Sequence, residues 1–319
     1  MHVDLSLTVA GALVGLLVGM TGMGGGALLT PLLVLVFHVP PLAAISSDLV
    51  TSLVMKPVGA VVHLRRRTVQ TGLLRWLALG AVPAAFAGSM LIGAVGHSAA
   101  VQSSLKTAIG VALLGSLACN LLRQLIDRRS SSGRVAGPLV VRPVRTAVIG
   151  VIGGLAVGMT SVGAGSLVIA LLLLAYPRLS PSQLVGTDIV QAIPLVASAA
   201  LGHLIFGDVK FAITFSLLVG ALPGVYVGAR LSAQAPAALT RPVISAVLLG
   251  SALALLHVGA PVLVTAAIGG GLAMAALGRT PRVGSGGLGW LPGRGRKAVP
   301  ADAGTGRHQD DLVQDALSI

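Results

Sequence analysis

The amino-acid sequence predicts an all-α, polytopic membrane protein that consists of two inverted repeats. Of its 319 residues, 55% are hydrophobic and only 10% are charged, whereas a soluble domain carries about 25% charged residues. Apolar runs long enough to span a bilayer, about 20 residues, recur along most of the chain, and two stretches of the sequence match one another. These observations exclude a soluble globule, a disordered chain and, with one cysteine present, a disulfide scaffold.

The net charge of +13 indicates membrane orientation and not nucleic-acid binding. It arises from 22 Lys and Arg residues against 9 Asp and Glu residues. Lys and Arg gather in the cytoplasmic loops of membrane proteins. Aromatic residues, which stack on bases in many nucleic-acid binders, make up only 3% of the chain. We therefore expect the lipid bilayer as a partner and no nucleic acid.

The apolar runs divide the chain into two transmembrane repeats, 1–122 and 146–278, which a basic cytoplasmic linker at 123–145 connects. The runs lie at 5–37, 43–63, 73–95, 100–122, 144–176, 182–206, 211–232, 240–257 and 260–278. The last of these is an additional C-terminal helix, and whether it crosses the membrane stays open. The remaining segment, 279–319, has no apolar periodicity and is expected to be a disordered cytoplasmic tail.

The two halves are related by an internal repeat. The sequence GMTGMGGGALL at 19–29 aligns with GMTSVGAGSLV at 158–168 at an offset of 139. After one added residue the offset is 140, so that Asp48 matches Asp188 and His63 matches His203. Internal repeats of this kind are typical of secondary transporters.

The distribution of basic residues favours inverted repeats. In the first half, Arg65–Arg67 follow the second run, and the loop at 93–99 contains no Lys or Arg. In the second half, Arg230 and Arg241 flank the loop that matches 93–99, while the 207–210 turn has a single basic residue beside an acidic one. Because basic loops face the cytoplasm, equivalent loops are predicted on opposite sides of the membrane.

The first run of each repeat is predicted to be a re-entrant hairpin, followed by three transmembrane helices. Each of these runs has about 33 residues, which is too long for one span and too short for two. Glycines interrupt both runs, at Gly22–Gly26 and Gly163–Gly165. A single tilted crossing is the alternative, and it would leave the basic tail outside the cell.

Two Gly-rich tips that meet at the membrane midplane would form a site for a small oxyanion. Helix N-termini carry partial positive charge and bind anions, and glycines let a ligand approach the backbone closely. The alternative is that these glycines only permit tight helix packing. The candidate substrate-binding residues are Thr21, Gly22, Gly24, Gly25, Gly26, Ser47, Thr160, Ser161, Gly163, Gly165, Ser166 and Thr187.

Five titratable residues are candidates for proton or ion coupling: Asp48, Asp188, Lys56, His63 and His203. A carboxylate within a membrane span is costly and suggests a function, although both acidic residues could instead lie at the interface or cap a helix. The lysine could pair with a carboxylate or attract an anion, and histidine titrates near neutral pH. The histidines could equally be interfacial residues bonded to loops. Metal ligands at a suitable spacing are absent from the sequence, so we expect no metal and no cofactor.

Several sequence blocks together resemble the TauE/SafE family of membrane transporters, the sulfite and organosulfonate exporter group. The similarity extends from about residue 8 to 257 and covers both halves. The blocks are GMTGMGGG with Pro31, SSDLVTSLVMKPVGAVVHLRRRTV (46–69), GMTSVGAG, VGTDIV (185–190), GHLIFGDV (202–209) and GALPGVYVGARL (220–231). Ser-Ser-Asp at 46–48 differs from the Gly-Thr-Asp expected for the family, and the Gly-Asp-Val-Lys at 207–210 differs from Gly-Asn-Val-Asp.

The resemblance implies a multi-pass carrier of the plasma (inner) membrane that moves small sulfur-containing or carboxylate anions, usually outward. Its partners would be a small anionic substrate and protons or another coupling ion, with homo-oligomerisation left open. No GxxxxGK[ST] loop is present, so the chain would not use ATP itself. The alternatives are an anion channel, a non-transporting membrane partner or, with less support because no GxSxG elbow occurs, an intramembrane enzyme. We expect that the protein is not an enzyme.

Overall fold

The computed structural model describes residues 4–21, 25–65, 69–95, 98–129, 140–177, 179–231, 237–258 and 269, and every regular element within them is an α-helix. The helices are α1 (Leu5–Thr21), α2 (Gly26–Leu35), α3 (Pro41–Arg65), α4 (Thr71–Val95), α5 (Ala99–Arg129), α6 (Pro143–Thr160), α7 (Leu167–Ala175), α8 (Pro181–Phe206), α9 (Phe211–Leu231) and α10 (Ala237–Leu255). All of them lie in one structural unit, Met1–Arg279. The predicted tail and, apart from Gly269, the segment 260–278 lie outside the described residues.

The all-α, polytopic membrane class is confirmed. Among the described residues, α4, α5, α6, α8 and α9 are each long and apolar enough to cross a membrane. Leucines, valines and other large apolar side chains remain exposed along these helices, as lipid-facing surfaces require. Helix α5 continues to Arg129, beyond the predicted end of its run, because the Leu, Arg and Gln residues there favour helix whatever their polarity.

The first run of each half forms two helices. In the first half, α1 has 17 residues and α2 has 10; in the second, α6 has 18 and α7 has 9. The break after α6 is made by left-handed backbone at Ser161 (φ 59°), Gly163 (φ 112°) and Gly165 (φ 107°), a conformation that favours glycine. A Cβ on Gly153 would lie 2.5 Å from Val168 Cγ2, so α7 turns back along α6.

The first helix of each repeat packs against the fourth helix of the other repeat, with backbone against backbone. A Cβ on Gly15 of α1 would lie 2.4 Å from the carbonyl oxygen of Ala221 in α9. At the repeat-related position, a Cβ on Gly154 of α6 would lie 2.3 Å from the carbonyl oxygen of Ala81 in α4. Small residues allow such close helix contacts in membranes, which explains why glycines recur along α1, α4, α6 and α9.

The repeat-equivalent helices α3 and α8 contact each other and run antiparallel. Ser46, near the start of α3, has its Oγ 2.8 Å from Nδ1 of His203, near the end of α8. Two hydrogen bonds that the repeat relates then fix the loops beyond the helices. The N–H of Lys210 donates to Ser47 Oγ (3.2 Å), and the N–H of Gln70 donates to Thr187 Oγ1 (3.0 Å).

Candidate functional site

Asp48 lies fully buried on α3 and joins three parts of the fold. Its Oδ2 accepts hydrogen bonds from Thr30 Oγ1 on α2 (2.6 Å) and from Ser161 Oγ in the α6–α7 connection (2.8 Å). Its Oδ1 accepts from Ser52 Oγ, one turn further along α3 (3.1 Å). Hydrogen bonds to an ionised carboxylate are stronger than those between neutral groups. The three hydroxyls therefore compensate in part for the burial of this carboxylate.

The N-terminus of α2 lies beside this carboxylate because Gly25 has no side chain. A Cβ at Gly25 would lie 3.0 Å from Ser52 Oγ and 3.7 Å from Asp48 Oδ1. The positive end of a helix dipole stabilises a nearby negative charge. The Gly-rich stretch thus brings backbone close to a buried acid.

The broken segments of the two repeats touch at Gly26 and Ser161. A Cβ on Gly26 would lie 1.9 Å from the carbonyl oxygen of Ser161, so only glycine fits there without a rearrangement. The Ser161 side chain faces Asp48, while its backbone packs on α2. One residue of the second repeat therefore contacts both the acid and the tip of the first.

The other predicted tip residues have different surroundings. Thr160 Oγ1 donates to the carbonyl oxygen of Ala156 in its own helix (2.7 Å). Ser166 Oγ donates to Ser116 Oγ on α5 (2.7 Å). Gly163 and Gly165 supply the positive φ angles of the connection. Gly22, Gly24 and the side chain of Thr21 lie outside the described residues.

Asp188 is also buried, with 2% exposure, but its surroundings differ from those of Asp48. The repeat places Ala192 where the first half has Ser52, Ile169 where it has Thr30, and Gly22 where the second half has Ser161. None of these three residues offers a side-chain hydroxyl. Two acids that the repeat makes equivalent therefore have unequal environments.

Lys56 lies partly buried on α3, and its ammonium group interacts electrostatically with both Asp48 and Asp188. Its repeat-related position holds Val196, which is buried. The lysine that interacts with the two acids therefore has no basic counterpart at the repeat-related position. Among the described residues, no group of three or more His, Cys, Asp or Glu side chains is close enough to hold a metal ion.

A family model described as "Sulfite exporter TauE/SafE" matches residues 7–255. The chain belongs to the TauE/SafE family. It is 37% identical over 234 residues to the "Probable membrane transporter protein YjnA" of Bacillus subtilis (strain 168), covering 72% of this chain and 90% of that protein. It is 25% identical over 224 residues to the "Probable membrane transporter protein YdhB" of the same organism, covering 70% and 88%. No solved structure gives a significant match.

Membership of the TauE/SafE family, together with the long apolar helices, establishes a membrane transporter that crosses the plasma membrane several times. The family, the transporter class and the localisation predicted from the sequence are therefore confirmed.

In this TauE/SafE chain, the side chain of His203 is fully buried within the protein. Its Nε2 donates to the carbonyl oxygen of Gly158 on α6 (2.9 Å), because a carbonyl can only accept. Its Nδ1 contacts Ser46 Oγ, which also lies 3.3 Å from the N–H of Asp208. The imidazole thus links α8 to α6 and α3. His63 is on α3, and its side chain lies outside the described residues.

Gln191 is a buried polar residue, one helical turn after Asp188, that the sequence reasoning missed. It is fully buried on α8, three residues after Asp188. Neither its Oε1 nor its Nε2 has a hydrogen-bond partner among the described residues. A buried amide within an apolar run was the signal that could have identified it. Thr30 and Ser52 were missed for a different reason, since their role depends on the position of Asp48.

Proposed function

We propose that this chain is a secondary transporter, with export as its main direction, of small anions such as sulfite, sulfonates or small carboxylates. The substrate is held between the two Gly-rich tips near the membrane midplane. The observation that carries the proposal is the junction of Gly26, Ser161 and Asp48, where broken segments from both repeats meet at a buried acid. Broken helices of this kind form the substrate sites of several transporter folds.

We also propose that the two repeats are inverted. Two equivalent helices that pack antiparallel are related by an axis perpendicular to both, and α3 and α8 are such a pair. For membrane-spanning helices this axis lies in the membrane plane, as inversion requires. Because α1 packs closely on α9 and α6 packs closely on α4, alternating access would move these mixed bundles, and not whole repeats, against each other around a central site.

Asp48 is the proposed proton site. Its Oδ2 accepts two hydroxyl donors, from Thr30 and Ser161. A proton on Oδ2 would compete with at least one of those donors, so protonation would loosen the link between the tips. It would also remove a negative charge that repels an anion at the tips. An anion and a proton would therefore bind together and move together, and the combined gradients would set the direction of net flux.

Flux measurements in proteoliposomes test this function. Sulfite, methanesulfonate and acetate are supplied with and without a pH gradient, and we expect saturable flux of at least one anion that depends on the gradient. Asp48→Asn should lose the pH dependence. Asp208→Asn is the matched control, because Asp208 is partly exposed in a loop and pairs with Lys210 at 2.8 Å.

Three outcomes would contradict parts of the proposal. No flux of any anion, from protein that is folded in the vesicles, would overturn the transport function. Flux that does not saturate would indicate a channel. A pH dependence that survives in both Asp48→Asn and Asp188→Asn would remove the proton role from these acids.

A further inference from the structure

We propose that Gln191 and Lys56 recognise the oxyanion group of the substrate at a single position between α3 and α8. This inference rests on the proposed transport function and specifies which residues bind the anion. Gln191 carries two N–H donors on its amide, and Lys56 carries three N–H donors and a positive charge. A sulfite, sulfonate or carboxylate group presents two or three oxygens that could accept from both.

The amide of Gln191 is the first reason to expect a ligand. It is fully buried, and neither polar atom has a partner among the described residues. Burying an amide costs desolvation free energy, and without hydrogen bonds nothing in the folded protein compensates for that cost. Most buried polar groups in native proteins are therefore paired with protein, water or a ligand. In a transporter, a ligand that enters and leaves is the partner that explains such a group.

The register of α3 against α8 places Lys56 and Gln191 at nearly the same depth. Ser46 and His203 contact each other, and the two helices run antiparallel. Because the helices are antiparallel, residue 56, ten residues after Ser46 on α3, lies at the same depth as residue 193, ten residues before His203 on α8. Gln191 is two residues from that level, about 3 Å along the helix axis. It also lies one turn from Asp188, with which Lys56 interacts electrostatically.

The charges around this position suit an anion. Lys56 provides the positive charge, and it interacts electrostatically with Asp48 on α3 and Asp188 on α8. Protonation of one acid, as the transport proposal requires, would leave the lysine's charge less neutralised. The anion would then complete the balance of charge.

The repeat offers no second position of this kind. Thr51 is the repeat-mate of Gln191, and its Oγ1 already donates to the carbonyl oxygen of Ser47 (2.8 Å). Val196, the repeat-mate of Lys56, is apolar and buried. One anion per chain is therefore expected, even though the surrounding fold is repeated twice.

Ligand binding to the full-length protein in detergent tests this inference. Titration calorimetry with sulfite, methanesulfonate and acetate should give one site per chain for at least one of them. Gln191→Leu should weaken the binding of that anion about tenfold or more, and Lys56→Met should weaken its binding similarly. Gln191→Glu keeps the size of the side chain but adds a negative charge, so it should abolish binding. Thr51→Val is the matched control and should bind like the wild type.

A second measurement separates a binding role from a structural one. Without ligand, Gln191→Leu should unfold at the same temperature as the wild type or higher, since it removes an unpaired buried amide. With ligand, only the wild type and Thr51→Val should gain thermal stability as the anion concentration rises.

The failures of the two proposals are distinguishable. If the wild type binds and transports an anion while Gln191→Leu and Lys56→Met bind it equally well, this inference is wrong and the transport function stands. Two bound anions per chain would also overturn it. If the wild type neither binds nor transports any anion of the series, both proposals fail.

Discussion

Asp48 and Ser161, which belong to different repeats, are joined by a hydrogen bond of 2.8 Å between the carboxylate and the hydroxyl. Ser161 adopts a left-handed backbone conformation with φ of 59°, which is unfavourable for residues other than glycine. The repeat-related position holds Gly22. A serine at this position therefore bears a conformational cost that its bond to the buried acid can offset.

Substitutions of Ser161 should separate these two contributions. Ser161→Ala loses the hydrogen bond to Asp48 and keeps the backbone strain, and we expect a loss of about 1.5–3 kcal/mol in the free energy of unfolding. Ser161→Gly also loses the bond but relieves the strain, so it should recover about 1 kcal/mol relative to alanine. Unfolding of the purified protein in detergent measures both. If Ser161→Ala were at least as stable as Ser161→Gly, the proposed backbone strain at Ser161 would be contradicted.

The contact between the tips makes Gly26 intolerant of any side chain. A methyl group there would lie 1.9 Å from the carbonyl oxygen of Ser161. Overpacking costs about 1–3 kcal/mol when neighbours can move, and backbone moves less readily than a side chain. Gly26→Ala should therefore lower stability by about 3 kcal/mol or more and reduce transport. Gly115→Ala is the control, because a Cβ there meets nothing within 4 Å; equal effects of the two substitutions would rule out the tip contact.

The exchanged helix pairs predict matched effects at repeat-related glycines. Gly15→Ala would bring a Cβ to 2.4 Å from the carbonyl oxygen of Ala221. Gly154→Ala would bring one to 2.3 Å from the carbonyl oxygen of Ala81. We expect each substitution to destabilise the protein by about 1–3 kcal/mol. The two values should agree within about 1 kcal/mol, and the double variant should show nearly their sum, because the sites are separate. Thermal unfolding of the single and double variants checks this, and one neutral variant would show that the repeats pack differently.

The helices could be predicted from the sequence because a bilayer demands long apolar runs, and the breaks could be predicted because glycines interrupt those runs. Asp48 was found as a costly charge in an apolar segment. Ser161 was a candidate of the sequence, but its bond to Asp48 and that of Thr30 could not be predicted, since they depend on the contact between the repeats and on the packing of α2 on α3. That contact depends on how the helices pack and leaves no local signal in the sequence.

The two repeats are not identical at the proposed site. Positions where the halves differ, such as Lys56 against Val196 and Gln191 against Thr51, mark the places where the site departs from symmetry. Ser47 and Thr187 show the opposite case. They were predicted from the motifs around the two acids, and their hydroxyls accept equivalent loop N–H groups in the structure. A role for them in substrate binding stays a prediction.

Cysteine accessibility should determine the orientation of the repeats. The background is Cys119→Ala, because Cys119 is the single cysteine of the chain. Ser98→Cys places a thiol in the loop after α4, and Ala235→Cys places one in the repeat-related loop at 233–240. The first loop lacks Lys and Arg and the second is flanked by Arg230 and Arg241, so a membrane-impermeant maleimide should label only Ser98→Cys from outside intact cells.

The same experiment in inside-out vesicles should label only Ala235→Cys. Labelling of both thiols from one side would mean that α4 and α9 end at the same membrane face. Helices α3 and α8 would then have to run parallel if both cross the membrane, which the Ser46–His203 contact between a helix start and a helix end does not allow. The labelling pattern therefore tests the membrane topology and the packing of α3 on α8 together.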